Sequence, residues 1–193
     1  MLPPSQCLIG VDGGASRTRA ELFSEGATKF RSETGPSNPG VVGVQAGVAA
    51  VGEVVDAVLA ASGTSRSRLA AIGLGIAGIG PEQSPLRRDF QAELRARLGA
   101  LPVGLWTDQE IALAGAFGGG RGILVVGGTG SGALGFDGKA LVRAGGWGRH
   151  LRDPGSAFEL FRDATLSLLA IRDGLSNARS SLCHALPGVL GLR

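Results

Sequence analysis

Cysteine, histidine and charged residues are all scarce in this chain of 193 residues, of which only 18% are charged. Its two cysteines, Cys7 and Cys183, lie far apart, and its two histidines, His150 and His184, complete no Cys/His quartet with them. We therefore expect no disulfide framework, no structural zinc site and no iron–sulfur cluster held by cysteines within one chain. Reduced thiols of this kind are typical of a cytoplasmic protein.

Long hydrophobic runs and basic clusters are missing as well. The longest uncharged stretch, residues 34–52, contains Pro36, Asn38 and Pro39, so it does not predict a membrane span. The first six residues lack the basic start and long apolar core of a signal peptide. The net charge is +3 and no basic run with interleaved aromatic residues is present, so we expect no nucleic-acid partner.

Glycine, in contrast, is abundant. The chain contains 34 glycines, about 18% of its residues against a usual share of roughly 7%. They cluster between apolar runs, which indicates tight turns and places where the backbone must approach something closely. With 44% hydrophobic residues, the chain has enough apolar surface to fold around a core.

The spacing of the apolar residues predicts an α/β protein with a mixed sheet. In the first part of the chain the predicted strands are Cys7–Val11, Thr18–Ser24, Thr28–Thr34, Leu69–Ile76 and Val103–Trp106. The predicted helices there are Val41–Ser62, Pro85–Leu98 and Gln109–Phe117, with a turn at 25–26 and a loop over 35–40.

A second run of short strands begins at about residue 122 and opens in the same order as the first. It comprises predicted strands at Gly122–Val126, Gly132–Phe136 and Lys139–Ala144, a helix at Ser156–Arg172 and a short helix over 178–186. We therefore predict one domain over residues 1–117 and the start of a second, incomplete lobe over residues 118–193.

Two carboxylates stand out by their positions. Asp12 is predicted to end the first strand, and Asp108 to end the strand Val103–Trp106. If these strands are parallel neighbours, both acids lie at the edge of the sheet where open α/β proteins bind ligands. The alternative is that each aspartate only caps a turn or the following helix.

Two glycine-rich turns follow apolar strands and carry hydroxyl side chains. They are residues 12–18, with Ser16 and Thr18, and residues 127–132, with Thr129 and Ser131. Glycine lets backbone amides approach a phosphate, and a hydroxyl adds a donor. The first turn has neither the Gly-Lys-Ser/Thr ending of a Walker loop nor the GxGxxG pattern, and ordinary hairpins remain the alternative for both turns.

A tryptophan among glycines follows the last predicted strand. Trp147 is either a core anchor or a platform for the face of a sugar ring. Asp153 either caps the helix that begins at Ser156 or binds a hydroxyl group.

In this order, the motifs at 10–18, 75–78, 107–108, 127–131 and 145–156 resemble those of the BadF/BadG/BcrA/BcrD ATPase family. Within the family, the likeness is strongest to the N-acetylglucosamine kinases, which belong to the actin/Hsp70/sugar-kinase superfamily. The resemblance implies a ribonuclease H-like lobe with a mixed five-stranded sheet. It also implies ATP-dependent phosphorylation of an amino sugar.

The resemblance further implies a role for each motif residue in phosphoryl transfer. Asp12 would help hold Mg²⁺ through water, and Asp108 would be the catalytic base that also contacts the sugar. The residues implied to bind ATP are Gly13, Gly14, Ser16, Thr18, Gly128, Thr129, Gly130 and Ser131. Those implied to line the amino-sugar site are Asn38, Gly78, Gly146, Trp147 and Asp153.

The chain also departs from the family pattern. Members usually have Gly-Asp-Glu-Gly-Ser where this chain has Arg-Asp-Pro-Gly-Ser at 152–156, which puts the identity of the sugar in question. Members also continue well beyond this length, so we expect weak ATP turnover or none. An apolar stripe of Leu160, Phe161, Ala164 and Leu168 on the predicted helix 156–172 predicts a homodimer or poor solubility.

Two other functions stay open at this point. One is a dehydratase-activating ATPase of the same family, which binds an iron–sulfur cluster between subunits. Cys7 in a strand and Cys183 in the last helix are a poor fit for that role. The other is a non-catalytic protein that binds a sugar or a partner.

Overall fold

A computed structural model describes residues 6–24, 27–148, 150–177, 181–189 and 191 of the chain. The residues up to Gly118 form one compact unit, and those from Gly119 onward form another. The turn predicted at 25–26, and residues 178–180 of the predicted last helix, lie outside the described residues.

The first unit is built on a mixed five-stranded sheet with the strand order β3-β2-β1-β4-β5. Its strands are β1 (Cys7–Gly13), β2 (Thr18–Ser24), β3 (Ala27–Thr34), β4 (Leu69–Ile76) and β5 (Val103–Trp106). Strands β1, β2 and β3 form an antiparallel meander, while β1, β4 and β5 run parallel. The predicted mixed sheet is confirmed.

The α-helices in the described part of this unit are α1 (Pro39–Val42), α2 (Val44–Ser62), α3 (Pro85–Leu98) and α4 (Asp108–Phe117). Strand β1 alternates between buried residues (Cys7, Ile9 and Val11) and more exposed ones, as expected for a strand with one face on the core. On that face the buried side chains of α2 and α3 include Val51, Val54, Val55, Val58, Phe90 and Leu94. Each fully buried residue of this size contributes roughly 1.5–3 kcal/mol through removal from water.

Helix α2 is long and apolar enough to cross a membrane by length and composition alone. The apolar composition of α2 is explained by its place in the fold, because its apolar side packs in the core together with the sheet and α3. Its polar side carries Asp56, which forms ion pairs with Arg66 and Arg97. Core helices of soluble proteins have this combination of features.

The single helix predicted over Val41–Ser62 is wrong, because the structure has two helices separated by Gly43. Gly43 adopts a φ of +82°, which breaks the helical path. Helix α1 begins two residues earlier than predicted, with Pro39 in its first turn and Asn38 as N-cap accepting a hydrogen bond from the Gly40 amide. The predicted loop over 35–40 is correspondingly shorter.

The second unit opens with an antiparallel sheet in the order β6-β7-β8, formed by Gly122–Gly127, Ser131–Phe136 and Leu141–Gly145. Strand β8 begins two residues later than predicted. Asp137 explains the delay, since its Oδ1 atom accepts hydrogen bonds from the amides of Ala140 and Lys139 and holds a turn. These backbone bonds also hold the pKa of Asp137 below its ordinary value.

Helices α5 (Ala157–Arg172) and α6 (Leu182–Val189) follow. Ser156 is the N-cap of α5, because its hydroxyl accepts a hydrogen bond from the Glu159 amide at 3.1 Å. Of the predicted apolar stripe, Leu160 and Phe161 are exposed, while the last two members, Ala164 and Leu168, are half-buried. The homodimer stays a prediction, as does the assignment of residues 118–193 to the start of a second lobe.

Candidate active site

The first glycine turn is tied to the segment that leads into α1. The Gly14 carbonyl accepts hydrogen bonds from the amides of Ser37 and Asn38, each at 3.1 Å, and the Gly14 amide donates to the Arg17 carbonyl at 2.9 Å. Ser16 lies at the exposed tip of this turn. The turn is therefore fixed at its base and presents its tip to solvent.

The surroundings of Thr18 differ from those expected for a residue that contacts a phosphate. Its side chain is fully buried, and its hydroxyl donates to the Gly35 carbonyl at 2.8 Å. The hydroxyl thus links the start of β2 to the loop before α1. In this structure Thr18 stabilises the turn rather than presenting a donor to a ligand.

Gly13 lies against Ser37 and the end of β4. A Cβ atom at Gly13 would overlap the Ser37 hydroxyl and lie 2.6 Å from Ile76 Cδ1. The Gly13 carbonyl accepts a hydrogen bond from the Ala77 amide at 2.8 Å. Ser37 is itself fully buried, and within the described part of the chain its hydroxyl has no hydrogen-bond partner. Only glycine fits here without moving a neighbour.

Two residues predicted to line the sugar site, Asn38 and Gly78, lie side by side. Gly78 has a φ of +75°, and a Cβ atom placed on it would lie 2.8 Å from Asn38 Nδ2. Asn38 Oδ1 is used as the cap of α1, by the bond from Gly40. The Nδ2 group is therefore the part of Asn38 that can donate to a ligand.

Asp108 is the first residue of α4, not the end of the strand as predicted. Helix capping is performed by its neighbours, since Thr107 Oγ1 accepts from the Glu110 amide at 3.2 Å and Glu110 Oε2 accepts from the Thr107 amide at 2.6 Å. This is a complete capping box. It removes the alternative that Asp108 is there to cap the helix, and within the described part of the chain the Asp108 carboxylate makes no hydrogen bond.

Helix α4 is seated on the face of the sheet opposite the core. Gly75 lies between Leu74 and Ile76, whose side chains are in the core, so it faces the other side. A Cβ atom at Gly75 would overlap the Ile111 side chain of α4. The absence of a side chain at Gly75 thus lets α4 approach β4, and the first turn of α4 carries Asp108.

Asp12 lies on the same side of the sheet as α4. It is exposed between the buried residues Val11 and Gly13, and it lines an open cavity of about 440 Å³ together with Trp106 and Ile111. Strand β4 separates β1 from β5, so the two acid-bearing strands are parallel but not adjacent. Asp12 and Trp106 are in register through Gly75. Asp12 and Asp108 therefore lie at the same carboxyl edge, with two strand spacings, roughly 10 Å, between their strands.

The donor set around Asp12 fits Mg²⁺ rather than a metal that needs a protein cage. Among the described residues no group of three or more His, Cys, Asp or Glu side chains could hold a metal ion. Mg²⁺ commonly keeps several waters and is held by one or two carboxylates together with substrate phosphates. An exposed aspartate beside a glycine turn meets that requirement.

In the second unit, the other glycine turn is tied to the start of α5. The Gly128 carbonyl accepts a hydrogen bond from the Ala157 amide at 2.8 Å, and the Ser131 hydroxyl donates to the Pro154 carbonyl at 2.7 Å. Thr129 and Gly130 are exposed. The Ser131 hydroxyl is thus already engaged within the protein, whereas the tip of the turn is open to solvent.

Asp153 joins this turn to the segment around Trp147. It is buried, its Oδ1 atom accepts a hydrogen bond from the Gly148 amide at 2.8 Å, and a Cβ atom at Gly130 would lie 3.0 Å from its Oδ2 atom. The N-cap of α5 is Ser156, so Asp153 is not needed there. Three residues from the predicted motifs therefore meet: Asp153, Gly130 and Gly148.

Trp147 is 75% exposed, which excludes the core-anchor alternative. The carbonyl of the neighbouring Gly146 accepts a hydrogen bond from Arg143 Nη2 at 2.7 Å, and this bond fixes the position of Gly146. An exposed indole on a segment fixed at both ends is suited to serve as a platform for an apolar ring face.

The buried Glu159 of α5 was not predicted from the sequence. Its Oε1 atom accepts hydrogen bonds from Arg152 Nε at 2.6 Å and from Arg162 Nη2 at 2.9 Å. The bond to Glu159 raises the pKa of Arg152, whose charge is thereby stabilised. The departure from the family at residue 152 was the available signal, but nothing in the sequence indicated its partner.

The comparisons with known proteins point to one family. The model of the BadF/BadG/BcrA/BcrD ATPase family matches residues 9–185. An N-acetylmuramic acid/N-acetylglucosamine kinase of Clostridium acetobutylicum is 31% identical over 156 residues, or 79% of this chain and 50% of the relative. An N-acetyl-D-glucosamine kinase of Dictyostelium discoideum is 27% identical over 179 residues, or 87% of this chain and 56% of the relative.

A solved structure agrees with these relatives. The structure assigned as an N-acetylglucosamine kinase from Chromobacterium violaceum superposes with a TM-score of 0.78 at 30% identity, over 98% of this chain and 65% of that chain. The chain thus has the α/β fold of the sugar kinases. It spans about half the length of the curated relatives that it matches.

Proposed function

The chain belongs to the BadF/BadG/BcrA/BcrD ATPase family, and from this premise we propose that it transfers the γ-phosphoryl group of ATP to a hydroxyl of an amino sugar. The acceptors that its relatives suggest are N-acetylglucosamine and N-acetylmuramic acid. The observation that carries the proposal is the Asp108 carboxylate, which the capping box of Thr107 and Glu110 leaves free at the carboxyl edge of the parallel strands.

In this proposal Asp108 is the catalytic base. It accepts the proton of the sugar hydroxyl while that oxygen forms a bond to the γ-phosphorus and the bond between the γ-phosphorus and the ADP oxygen breaks. Little covalent work falls to the protein in such a transfer, so the positions of the groups matter most. The close contact of Ile111 with Gly75 holds α4 against β4. This contact supports a fixed position for Asp108 on α4.

The two glycine turns are the proposed phosphate contacts. In the first unit these are the backbone at Gly13 and Gly14 and the exposed Ser16, and in the second unit they are Gly128, Thr129 and Gly130, with Ser131 supporting the turn. Asp12 is the proposed holder of Mg²⁺, through water. When bound, Mg²⁺ would neutralise part of the charge on the phosphates.

The amino-sugar contacts proposed in the first unit are Asn38 and Gly78, which the structure places side by side. In the second unit they are Gly146, Trp147 and Asp153. The exposed indole of Trp147 would cover the face of the sugar ring, and Asp153 would accept a hydrogen bond from a hydroxyl group.

The alternative of a dehydratase-activating ATPase is less well supported. A cysteine that shares an iron–sulfur cluster between subunits must reach the surface, whereas Cys7 is 1% exposed inside β1. The side chain of Cys183 lies outside the described residues.

The proposal is tested by detection of the product. The 193-residue chain is incubated with ATP, Mg²⁺ and N-acetylglucosamine or N-acetylmuramic acid, and the products are analysed by ³¹P NMR and mass spectrometry. We expect a sugar phosphate that forms slowly, in line with the weak turnover expected from the sequence, and a much smaller amount with glucose, which lacks the acetamido group. Sugar binding by calorimetry without any sugar phosphate would favour the non-catalytic alternative, and the absence of both binding and product would refute the proposal.

A further inference from the structure

Arg152 has the only non-glycine backbone with positive φ among the described residues. Its φ is +121°, a conformation that side-chain-bearing residues rarely adopt and that costs of order 1–3 kcal/mol. Glycine would accept the same conformation without strain. The chain therefore carries a strained arginine where an unstrained residue would serve the backbone equally well.

Two interactions hold Arg152 in this conformation. Its amide donates to the Gly148 carbonyl at 3.1 Å, and its Nε atom donates to Glu159 Oε1 at 2.6 Å. Glu159 is only 5% exposed in its side chain, whereas the Arg152 side chain is 66% exposed. The buried Glu159 carboxylate thus fixes the Nε atom of Arg152, while most of the Arg152 side chain is exposed to solvent.

The position of Arg152 relates it to the proposed sugar contacts. It directly precedes Asp153, and both residues bond to Gly148, through the Arg152 amide and Asp153 Oδ1 respectively. Gly148 follows the exposed Trp147. Arg152 therefore belongs to the same closed loop as the two side chains proposed to contact the sugar.

The hydrogen bonds of the loop leave part of the Arg152 guanidinium able to bind an anion. Glu159 is shared by two arginines, Arg152 and Arg162, and Arg162 also pairs with Asp163, so these four side chains carry no net charge. The bond to Glu159 uses Nε, and no described residue accepts a hydrogen bond from either Nη group of Arg152. Two parallel N–H donors on a planar guanidinium match the two oxygens of a carboxylate.

We propose that Arg152, held by Glu159, is a specificity-determining residue that binds a carboxylate carried by the amino-sugar acceptor. The inference rests on the proposed function, because it places the sugar at the Trp147–Asp153 loop. It selects, between the two acceptors named above, the one with an acidic substituent. The strained backbone of Arg152 is then explained by substrate recognition rather than by folding.

The test compares ligands that differ in one charge. Titration calorimetry of the full chain measures Kd for N-acetylmuramic acid, for its methyl ester, which keeps the lactyl group without the charge, and for N-acetylglucosamine. We expect the wild-type chain to bind the acid roughly 10- to 100-fold more tightly than the ester, as for a hydrogen-bonded ion pair. Higher salt should reduce this ratio.

Two variants test whether Arg152 and Glu159 cause the difference in affinity between the acid and its ester. Arg152→Gly relieves the strained φ, so it should fold, and we expect the acid-to-ester ratio to fall close to one. Glu159→Gln keeps the shape of the anchor but removes its charge, so a partial loss of the ratio is expected. Arg172→Gln removes an exposed positive charge at the end of α5 and serves as the matched control, with an unchanged ratio.

The outcomes separate this inference from the function on which it rests. If N-acetylglucosamine binds but the acid-to-ester ratio is near one, or is the same in Arg152→Gly, the inference is overturned and the function stands. A loss of affinity for an ATP analogue in Arg152→Gly with an unchanged ratio would assign Arg152 to the nucleotide instead and also overturn it. If no sugar binds to the folded chain, the proposed function and the inference fail together.

Discussion

Replacing Gly13 by alanine places a methyl group against the Ser37 hydroxyl and within 2.6 Å of Ile76 Cδ1. Both neighbours are fully buried, so neither can move into solvent. Overpacking of this kind typically costs about 1–3 kcal/mol. For a unit that ends at residue 118, this predicts a decrease in Tm of roughly 4–15 °C.

A second substitution tests whether the contact with Ser37 causes the loss of stability in Gly13→Ala. Ser37→Ala removes the overlapping oxygen, leaving Ser37 Cβ at an ordinary 3.5 Å from the new methyl group, and Ile76 Cδ1 is the end of a side chain that can rotate. Because the Ser37 hydroxyl is buried without a partner within the described residues, Ser37→Ala alone should raise stability by about 1 kcal/mol. In the Gly13→Ala background it should raise stability further, by a coupling of about 0.5–3 kcal/mol.

The assay is urea denaturation of the wild-type chain, both single variants and the double variant. Gly35→Ala is the matched control, since no atom lies within 4 Å of its added Cβ and its backbone is not in the positive-φ region. Its stability should equal or slightly exceed that of the wild type. Strict additivity of Gly13→Ala and Ser37→Ala would refute the claim that contact with Ser37 requires glycine at the base of the first turn.

Three further predictions concern α4, α2 and α5. Thr107→Ala should lower the free energy of unfolding by about 1 kcal/mol through loss of the capping box, whereas Thr107→Ser should retain it, as measured in urea. Burial acts to raise the pKa of Asp56, but the bonds from Arg97 and Arg66 outweigh it and hold that pKa below its ordinary value. The ion pairs therefore stabilise the fold above pH of about 4, and the difference in Tm between wild type and Asp56→Asn should vanish as the pH falls through the folded-state pKa; a constant difference down to pH 2 would contradict this. Light scattering should detect a dimer that Leu160→Glu weakens, because Leu160 is 65% exposed, and a wild-type monomer at high concentration would contradict the prediction.

Local signals were sufficient for most of the elements. The bounds predicted for β2, β4, β5 and α3 agree with the structure, because each is an apolar pattern that ends at a turn residue or a proline. The start of α1 was also present in the sequence, as asparagine followed by proline, but the longer periodicity of α2 obscured it. The family resemblance and the mixed five-stranded sheet are both confirmed.

The buried polar groups could not be predicted in the same way. Whether Ser37 or Glu159 is buried depends on neighbours that are distant in sequence or reached only through a turn, and no periodicity encodes them. The same limit applies to Thr18, whose hydroxyl was predicted to face a phosphate and instead bonds to the Gly35 carbonyl. The sequence around a hydroxyl residue beside a glycine turn is the same whether that hydroxyl bonds to the protein or to a ligand.

The most direct test of the central claim is the rate of phosphoryl transfer by Asp108→Asn. Asparagine keeps the size of the side chain at the first position of α4, and Thr107 and Glu110 still cap the helix, so the variant should fold and bind N-acetylglucosamine. If Asp108 is the base, kcat should fall by about 10²- to 10⁴-fold, while Asp89→Asn on the exposed side of α3 should leave it unchanged. Transfer by Asp108→Asn at a rate close to that of the wild type would contradict the account.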